Sequence, residues 1–218
     1  PVPTSRFKRP RITPDVPGKR FRLELPLGGA RAGCRVRAIL SDADGEIARA
    51  EIPADQAFTP ELDLAIPAER LKLWAPGQGH LYDIALELVD ANGTVIDAAS
   101  TYAGMRSIVI DGMAVRINGE IVYWGVFPWD GAAAMRDSAR HDPVLSMLTQ
   151  WTEALDRDYS HPSIIGWCPL NETWMATGDA IDTMDDITRG MFQATKNADR
   201  TRPVLDVSGY SHRVAESD

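Results

Sequence analysis

An asparagine and a glutamate stand side by side at Asn171 and Glu172, and Trp174 follows two residues later. They come just after an apolar run at residues 163–168, which contains two isoleucines and lies between two prolines. Such a run predicts a strand buried on both faces. A carboxylate at the end of such a strand can act as a general acid or base if its surroundings raise its pKa. The alternative is that Glu172 caps a turn and Trp174 fills the core.

A helix is predicted on each side of this strand. Asp142 and Pro143 form an N-cap and first-turn pair, and the first helix ends before Pro162. The second helix is predicted to begin at Asp179. The apolar residues that share a helix face are Val144, Leu148, Trp151 and Leu155 in the first, and Ile181, Met184, Ile187, Met191, Ala194 and Ala198 in the second.

A second buried strand is predicted over residues 204–207. The order helix, strand, loop, helix, strand is typical of a parallel βαβ unit preceded by a helix. Polar side chains at the end of the second strand are candidate neighbours of a substrate, because carboxyl ends of parallel strands meet at one edge of a sheet. These candidates are Asp206, Ser208 and Tyr210.

The first half of the chain has a different pattern of apolar and polar residues. Between Gly18 and Gly104, apolar and polar residues alternate in short runs separated by turn signals, which predicts six or seven strands. This number of strands in so short a segment favours an immunoglobulin-like β-sandwich. We predict a linker over residues 1–17, which are rich in proline and basic residues, the sandwich over 18–105 and an α/β domain over 106–218.

Composition limits the classes of function. The 218 residues are 44% apolar, which suits a globular core, and the net charge of −8 argues against nucleic acid or an anionic membrane as the main partner. Cys34 and Cys168 are predicted to be buried thiols, and no cysteine or histidine spacing predicts a metal site or a cofactor. A soluble protein is expected. Its compartment (cytoplasmic, periplasmic or secreted) and its assembly into a homo-oligomer stay open.

Four motifs resemble glycoside hydrolase family 2, which includes β-galactosidases, β-glucuronidases and β-mannosidases. The family's acid/base signature is Asn-His-Pro-Ser-Ile followed by Trp and Asn-Glu. It resembles Ser160-His161-Pro162-Ser163-Ile164 with Trp167 and Asn171-Glu172. The other motifs follow in family order: Leu73-Trp74-Ala75-Pro76 with Leu81-Tyr82, then Gly104-Met105-Arg106 with Ile117-Asn118-Gly119-Glu120, and Asp199-Arg200-Thr201-Arg202-Pro203-Val204.

The resemblance implies a β-sandwich that leads into a (β/α)8 TIM barrel, and hydrolysis of a terminal β-glycoside with retention through two glutamates. It implies that Glu172 is the general acid/base and that Asn171 hydrogen-bonds the sugar's 2-hydroxyl. Trp174 becomes a wall of the sugar site or a packing residue. The implied partner is a carbohydrate of β-galactoside or β-glucuronide type, and Asp206 and Tyr210 are further substrate-binding candidates.

The sequence departs from the family in three places. Ser160 stands in place of the family's usual Asn, and Cys168 stands where Gly or Ser is common. Roughly forty residues separate Gly119 from His161, where the family has several strand–helix units, and the family's nucleophile glutamate is not in the chain. We therefore expect a partial barrel from a larger glycosidase, inactive in isolation. Residues 121–129 could form the first strand of that barrel or a later one. The alternative function is a non-catalytic carbohydrate-binding or structural module.

Overall fold

The computed structural model of this chain describes residues 4–112, 114–122, 127–128, 143–173, 184–209 and 211–218. The chain divides into two compact units. The first unit comprises the described part of Pro1–Ser107 together with Ile117–Gly119 and Ser160–Pro162. The second comprises the described parts of Ile108–Arg116, Glu120–Tyr159 and Ser163–Asp218. The domain limits drawn from the sequence stay predictions.

The first unit is built from antiparallel strands in two main sheets. One sheet has the order β2-β3-β7 and the other β6-β5-β8-β9, while β1 pairs with β4. A short 3-10 helix at Ala68–Arg70 follows β7. The strands are β1 Arg6–Phe7, β2 Arg11–Asp15, β3 Arg20–Glu24, β4 Leu27–Gly28, β5 Arg35–Asp42, β6 Gly45–Pro53, β7 Glu61–Ala65, β8 Tyr82–Val89 and β9 Val95–Ala103.

The two sheets share one apolar core, as in a β-sandwich. In β3, Phe21 and Leu23 are buried while Arg22 is exposed, which matches the alternation in the sequence. The Phe21 ring meets the ring of Tyr82 from the other sheet edge-on, with centroids 5.6 Å apart. Residues of both sheets belong to a single buried cluster. The strand pattern predicted for this half of the chain is therefore confirmed.

The prediction of a linker over residues 1–17 is wrong for the part that the structure describes. Strand β2 pairs along its whole length with β3, from Arg11 opposite Glu24 to Asp15 opposite Arg20. Ile12 is buried in the core. Prolines at both ends of this segment suggested a tether, but an edge strand tolerates proline because its outer N–H groups need no partner.

The second unit begins with a three-stranded sheet and continues with helices and short parallel strands. The three-stranded sheet has the order β10-β11-β12, and the parallel pair is β13 with β14. The elements are β10 Ile108–Asp111, β11 Ala114–Ile117, β12 Glu120–Val122, β13 Phe127–Pro128, α1 Pro143–Asp158, β14 Trp167–Cys168 and α2 Met184–Ala198.

Strands that are consecutive in the chain lie side by side and run parallel in this unit. Phe127 pairs with Trp167, and Trp167 forms a parallel bridge with Val204. Helix α1 lies between β13 and β14 in sequence, and α2 lies between β14 and Val204. The predicted parallel βαβ order is thus present, and residues 127–128 belong to the strand that precedes α1.

The parallel strands are shorter than the sequence predicts. The strand expected over residues 163–168 is limited to β14 at Trp167–Cys168, and the Ile164 carbonyl before it accepts a hydrogen bond from the Arg202 side chain. The strand expected over residues 204–207 is reduced to the bridge at Val204. Helix α1 agrees with its prediction from Pro143 onward. The predicted N-cap Asp142 and the predicted start of α2 at Asp179 lie outside the described residues.

The helices pack on β14 through a core of large side chains. The Trp151 ring of α1 meets the Trp167 ring of β14 edge-on at 6.1 Å. The Trp151 indole N–H donates to the Thr195 hydroxyl of α2 over 2.8 Å. Both helices are therefore fastened to the strand that carries Asn171 and Glu172 at its end.

We predict that Leu86→Ala, in the sandwich core, lowers the free energy of unfolding by about 2–5 kcal/mol. Leu86 is fully buried, so its truncation leaves a cavity between the sheets. Leu81→Ala is the matched control, since Leu81 is 41% exposed and little is lost by truncating it. Urea denaturation of the three proteins measures the difference, and equal midpoints for the two variants would contradict the shared core.

Candidate active site

Asn171 and Glu172 lie on the loop that directly follows β14. Ser208 lies four residues after Val204, the residue that bridges β14 in parallel. The carboxyl ends of parallel strands share one edge, and a hydrogen bond joins the two loops there: the Ser208 N–H donates to the Leu170 carbonyl over 3.0 Å. Leu170 is fully buried, so the loop before Glu172 is anchored in the core.

The backbone of Glu172 has an unusual conformation. Its φ angle is +49°, in the left-handed region that a residue with a side chain seldom adopts. The Glu172 N–H donates to the Ser208 hydroxyl over 3.0 Å, and that hydroxyl donates to the Asn171 side-chain oxygen over 2.7 Å. A left-handed backbone costs on the order of 1–3 kcal/mol and persists where the surroundings fix it. Glu172 itself is exposed.

The residue after Glu172 is fixed by an arginine. Thr173 is buried, and its carbonyl accepts a hydrogen bond of 3.0 Å from the Arg213 guanidinium. The same guanidinium donates to Asp185 near the start of α2 over 2.7 Å. The loop that carries the exposed Glu172 is thus held by hydrogen bonds before this residue, at Leu170, and after it, at Thr173.

Asp206 is fully buried and lies two residues before Ser208 in the chain. One carboxylate oxygen lies 2.7 Å from the His212 ring nitrogen, and the other accepts the N–H groups of Arg213 and Val214 over 2.7 and 3.0 Å. Burial alone would raise the pKa of the Asp206 carboxyl, but these hydrogen bonds outweigh it and hold that pKa below its ordinary value. The observed contacts of Asp206 therefore fasten residues 212–214.

Cys168, at the end of β14, is a buried thiol, as is Cys34 in the sandwich, and both predictions are confirmed. The Cys168 thiol contacts the Leu170 carbonyl at 3.2 Å. Burial raises the pKa of the Cys168 thiol to about 11. The thiol is therefore protonated at neutral pH and is not a nucleophile.

A buried ion pair stabilises the N-terminal end of β14, opposite to the end that leads to Glu172. The Arg202 guanidinium pairs with Asp199 and donates to the carbonyls of Tyr159 and Ile164. Asp199 also accepts the Trp167 indole N–H over 2.8 Å. Burial alone would raise the pKa of the Asp199 carboxyl, but the charge of Arg202 and the hydrogen bonds it receives hold that pKa below its ordinary value.

The structure brings together some of the predicted site residues. Asn171 and Glu172 share one loop, and Asp206 is linked to that loop through Arg213, whereas Trp174 and Tyr210 lie outside the described residues. Among the residues that the structure describes, no cluster of three metal-binding side chains occurs, and no helix is long and apolar enough to cross a membrane. The sequence analysis missed Arg213, whose only signal is its position five residues past Ser208.

Comparisons with known proteins show which family and which folds this chain resembles. Residues 5–106 match the family model for glycosyl hydrolases family 2. A curated β-glucuronidase from Paenibacillus borealis is 29% identical over 116 residues, which are 53% of this chain and 18% of that protein. Residues 5–106 are therefore similar to a segment of glycosyl hydrolases family 2. The chain covers much less than half of this curated relative.

Solved structures of family-related enzymes resemble nearly the whole chain in fold. A β-glucuronidase from Ruminococcus gnavus in complex with D-glucuronic acid matches with a TM-score of 0.69 and 19% identity, covering 94% of this chain and 43% of that one. A Bifidobacterium dentium β-glucuronidase complexed with coumarin-3-O-glucuronide matches with a TM-score of 0.75 and 18% identity, covering 93% and 44%. At these identities the likeness concerns the fold.

The family-like motifs also meet in the first unit. A side chain at Gly104 would place its Cβ 2.7 Å from Pro162 and 2.9 Å from Trp74, so only glycine allows this approach. The buried Arg106 guanidinium donates to the Pro162 carbonyl over 2.6 Å. Three motifs that are far apart in the sequence of this chain therefore lie close together.

We predict that Asp206→Asn lowers the free energy of unfolding at pH 7 by about 1–3 kcal/mol. An amide has only one acceptor oxygen, so its NH2 group would face at least one of the donors that the second carboxylate oxygen now accepts from. The folded pKa is depressed, so this stability is present above the unfolded pKa of about 3.9 and is lost as pH falls through the folded value. The difference between wild type and variant should therefore shrink on acidification.

Urea denaturation at a series of pH values between neutral and strongly acidic measures this difference. Asp83→Asn, at an exposed position of the sandwich, is the matched control and should stay close to wild type throughout. A wild-type-to-variant difference that is the same at every pH would contradict the assigned role of the Asp206 carboxylate.

Proposed function

We propose that this chain is part of a retaining β-glycosidase in which Glu172 is the general acid/base. The observation that carries the proposal is the exposed carboxylate of Glu172 on a fixed loop at the carboxyl end of β14. Enzymes with parallel strand–helix folds collect their catalytic side chains at this edge. The family 2 segment in the same chain supports the assignment.

In the proposed reaction, Glu172 protonates the glycosidic oxygen as the bond to the leaving group breaks. A second glutamate, which we place outside this chain, attacks the anomeric carbon and forms a glycosyl-enzyme intermediate. Glu172, now ionised, removes a proton from water, and the water releases the sugar. Asn171 hydrogen-bonds the 2-hydroxyl, and Trp174 and Tyr210 are proposed to line the sugar site. Asp206, a further candidate from the sequence, is fully buried, and we propose that it supports the site through residues 212–214 instead of touching the sugar.

We propose a β-glucuronide as the first substrate class to test and a β-galactoside as the second. The names of the relatives support this order, since the curated relative and the two structures compared above are β-glucuronidases. The chain covers less than half of each of them, so residues outside it contribute to the choice of sugar.

A partial (β/α)8 barrel is the proposed setting of the site. The parallel neighbours β13, β14 and Val204, with α1 and α2 as the intervening helices, support it. In such a barrel, strands that are consecutive in sequence are neighbours in the sheet. The alternative, a non-catalytic carbohydrate-binding or structural module, is favoured by the sandwich, which has its own core.

We predict that Glu172→Gln in the full-length protein lowers kcat/KM for an unactivated aryl β-glycoside by about 10²–10⁴-fold, because the amide cannot donate the proton to the leaving oxygen. Steady-state hydrolysis of matched β-glucuronide, β-galactoside and β-mannoside substrates measures the loss and identifies the preferred sugar.

Glu69→Gln is the control for this substitution, since Glu69 is an exposed glutamate of the sandwich and lies outside the proposed site. Its kinetics should equal those of wild type. If Glu172→Gln hydrolyses every substrate at the wild-type rate, the acid/base assignment fails. Sugar binding by calorimetry without turnover in the wild type would favour the non-catalytic module.

A further inference from the structure

Ser208 makes three hydrogen bonds to three consecutive residues of the candidate acid/base loop. Its N–H donates to the Leu170 carbonyl, its hydroxyl donates to the Asn171 side-chain oxygen, and its hydroxyl oxygen accepts the Glu172 N–H. The distances are 3.0, 2.7 and 3.0 Å. A single residue outside the loop therefore contacts the backbone before it, the amide within it and the backbone of Glu172.

The contact with Glu172 fixes a backbone that would otherwise relax. At a φ angle of +49°, a glutamate lies in a sparsely populated conformation. Its N–H points at the Ser208 hydroxyl, and loss of that acceptor removes an interaction that favours the left-handed state over the extended one. The direction in which the Glu172 carboxylate leaves the loop depends on this choice.

The contact with Asn171 orients its amide. The Ser208 hydroxyl has one hydrogen, and it is donated to the Asn171 oxygen. The amide NH2 group is then turned away from Ser208. An NH2 group is a donor, so it suits the oxygen of a sugar hydroxyl, and a rotated amide would present its oxygen in that place.

These contacts distinguish two roles for Ser208. A substrate-binding serine would need its hydroxyl hydrogen for the sugar, but here that hydrogen is committed to Asn171 and the oxygen already accepts from Glu172. We propose that Ser208 is a positioning residue, which sets both the carboxylate direction of Glu172 and the amide orientation of Asn171. This inference rests on the proposed function of those two residues.

The test compares Ser208→Ala and Ser208→Thr in the full-length protein on two glycosides of the same sugar. One has an activated nitrophenyl leaving group and the other an unactivated methyl group. A good leaving group needs little protonation, whereas a poor one depends on a well-placed acid. Ser208→Ala should lower kcat/KM by about 10–100-fold on the methyl glycoside and by a much smaller factor on the nitrophenyl glycoside.

Ser208→Thr keeps a hydroxyl at the same position and should restore most of the loss. Ser211→Ala removes a hydroxyl from an exposed serine of the same segment and serves as the matched control, with wild-type kinetics expected. A variant that only folds less well would lose the same factor on both glycosides. Equal loss on both glycosides would overturn the positioning of the Glu172 carboxylate, because only proton donation depends on the leaving group. No loss, or no rescue by threonine, would overturn the positioning role as a whole.

Hydrogen–deuterium exchange separates this inference from the proposed function. The Glu172 N–H should exchange faster in Ser208→Ala than in wild type and Ser208→Thr, whether or not the protein hydrolyses a glycoside. If Glu172→Gln is fully active while this exchange pattern is found, the acid/base assignment fails and the contact role of Ser208 stands. If Glu172→Gln is inactive and exchange is unchanged in Ser208→Ala, the positioning role fails alone.

Discussion

The second unit depends on the buried ion pair between Arg202 and Asp199. Both side chains are almost completely enclosed, at 4% and 0% exposure, so neither charge could remain there without the other. The guanidinium also satisfies the carbonyls of Tyr159 and Ile164, which lie beyond the end of α1 and before β14, and it stacks near the Trp167 ring. The Arg202 side chain thus contacts the segment after α1 at Tyr159, the segment before β14 at Ile164, and β14 itself at Trp167.

This interaction sets the geometry at the opposite end of β14. With the strand fixed at Trp167, Leu170 enters the core and the following loop reaches Ser208, which holds the left-handed backbone of Glu172. Asp206 then fastens residues 212–214, and Arg213 returns from that segment to the Thr173 carbonyl. The buried side chains of Asp206, Arg202 and Asp199 therefore stabilise the segments around the loop, and Glu172 itself is exposed.

Each motif that resembles family 2 has its own structural role in this protein. Gly104 permits a backbone approach that any side chain would block, and Arg106 satisfies a buried carbonyl at Pro162. Asp199 accepts from the N–H and hydroxyl of Thr201 as well as from Arg202, so the Asp-x-Thr-Arg pattern is a local turn built around one carboxylate. These residues support the fold, and Asn171 and Glu172 are the members of the motifs that the proposed chemistry uses.

The sequence by itself determined the strand pattern of the sandwich, helix α1, the parallel order around β14 and the candidate pair Asn171 and Glu172. These features follow from periodicity and from short motifs, which depend on neighbours in the chain. Tertiary structure alone decided that residues 4–17 join the sandwich, that Arg202 bonds to the Ile164 carbonyl, and that Ser208 contacts Glu172. The last two contacts join polar groups that are 38 and 36 residues apart in sequence, and no local pattern records such a pair.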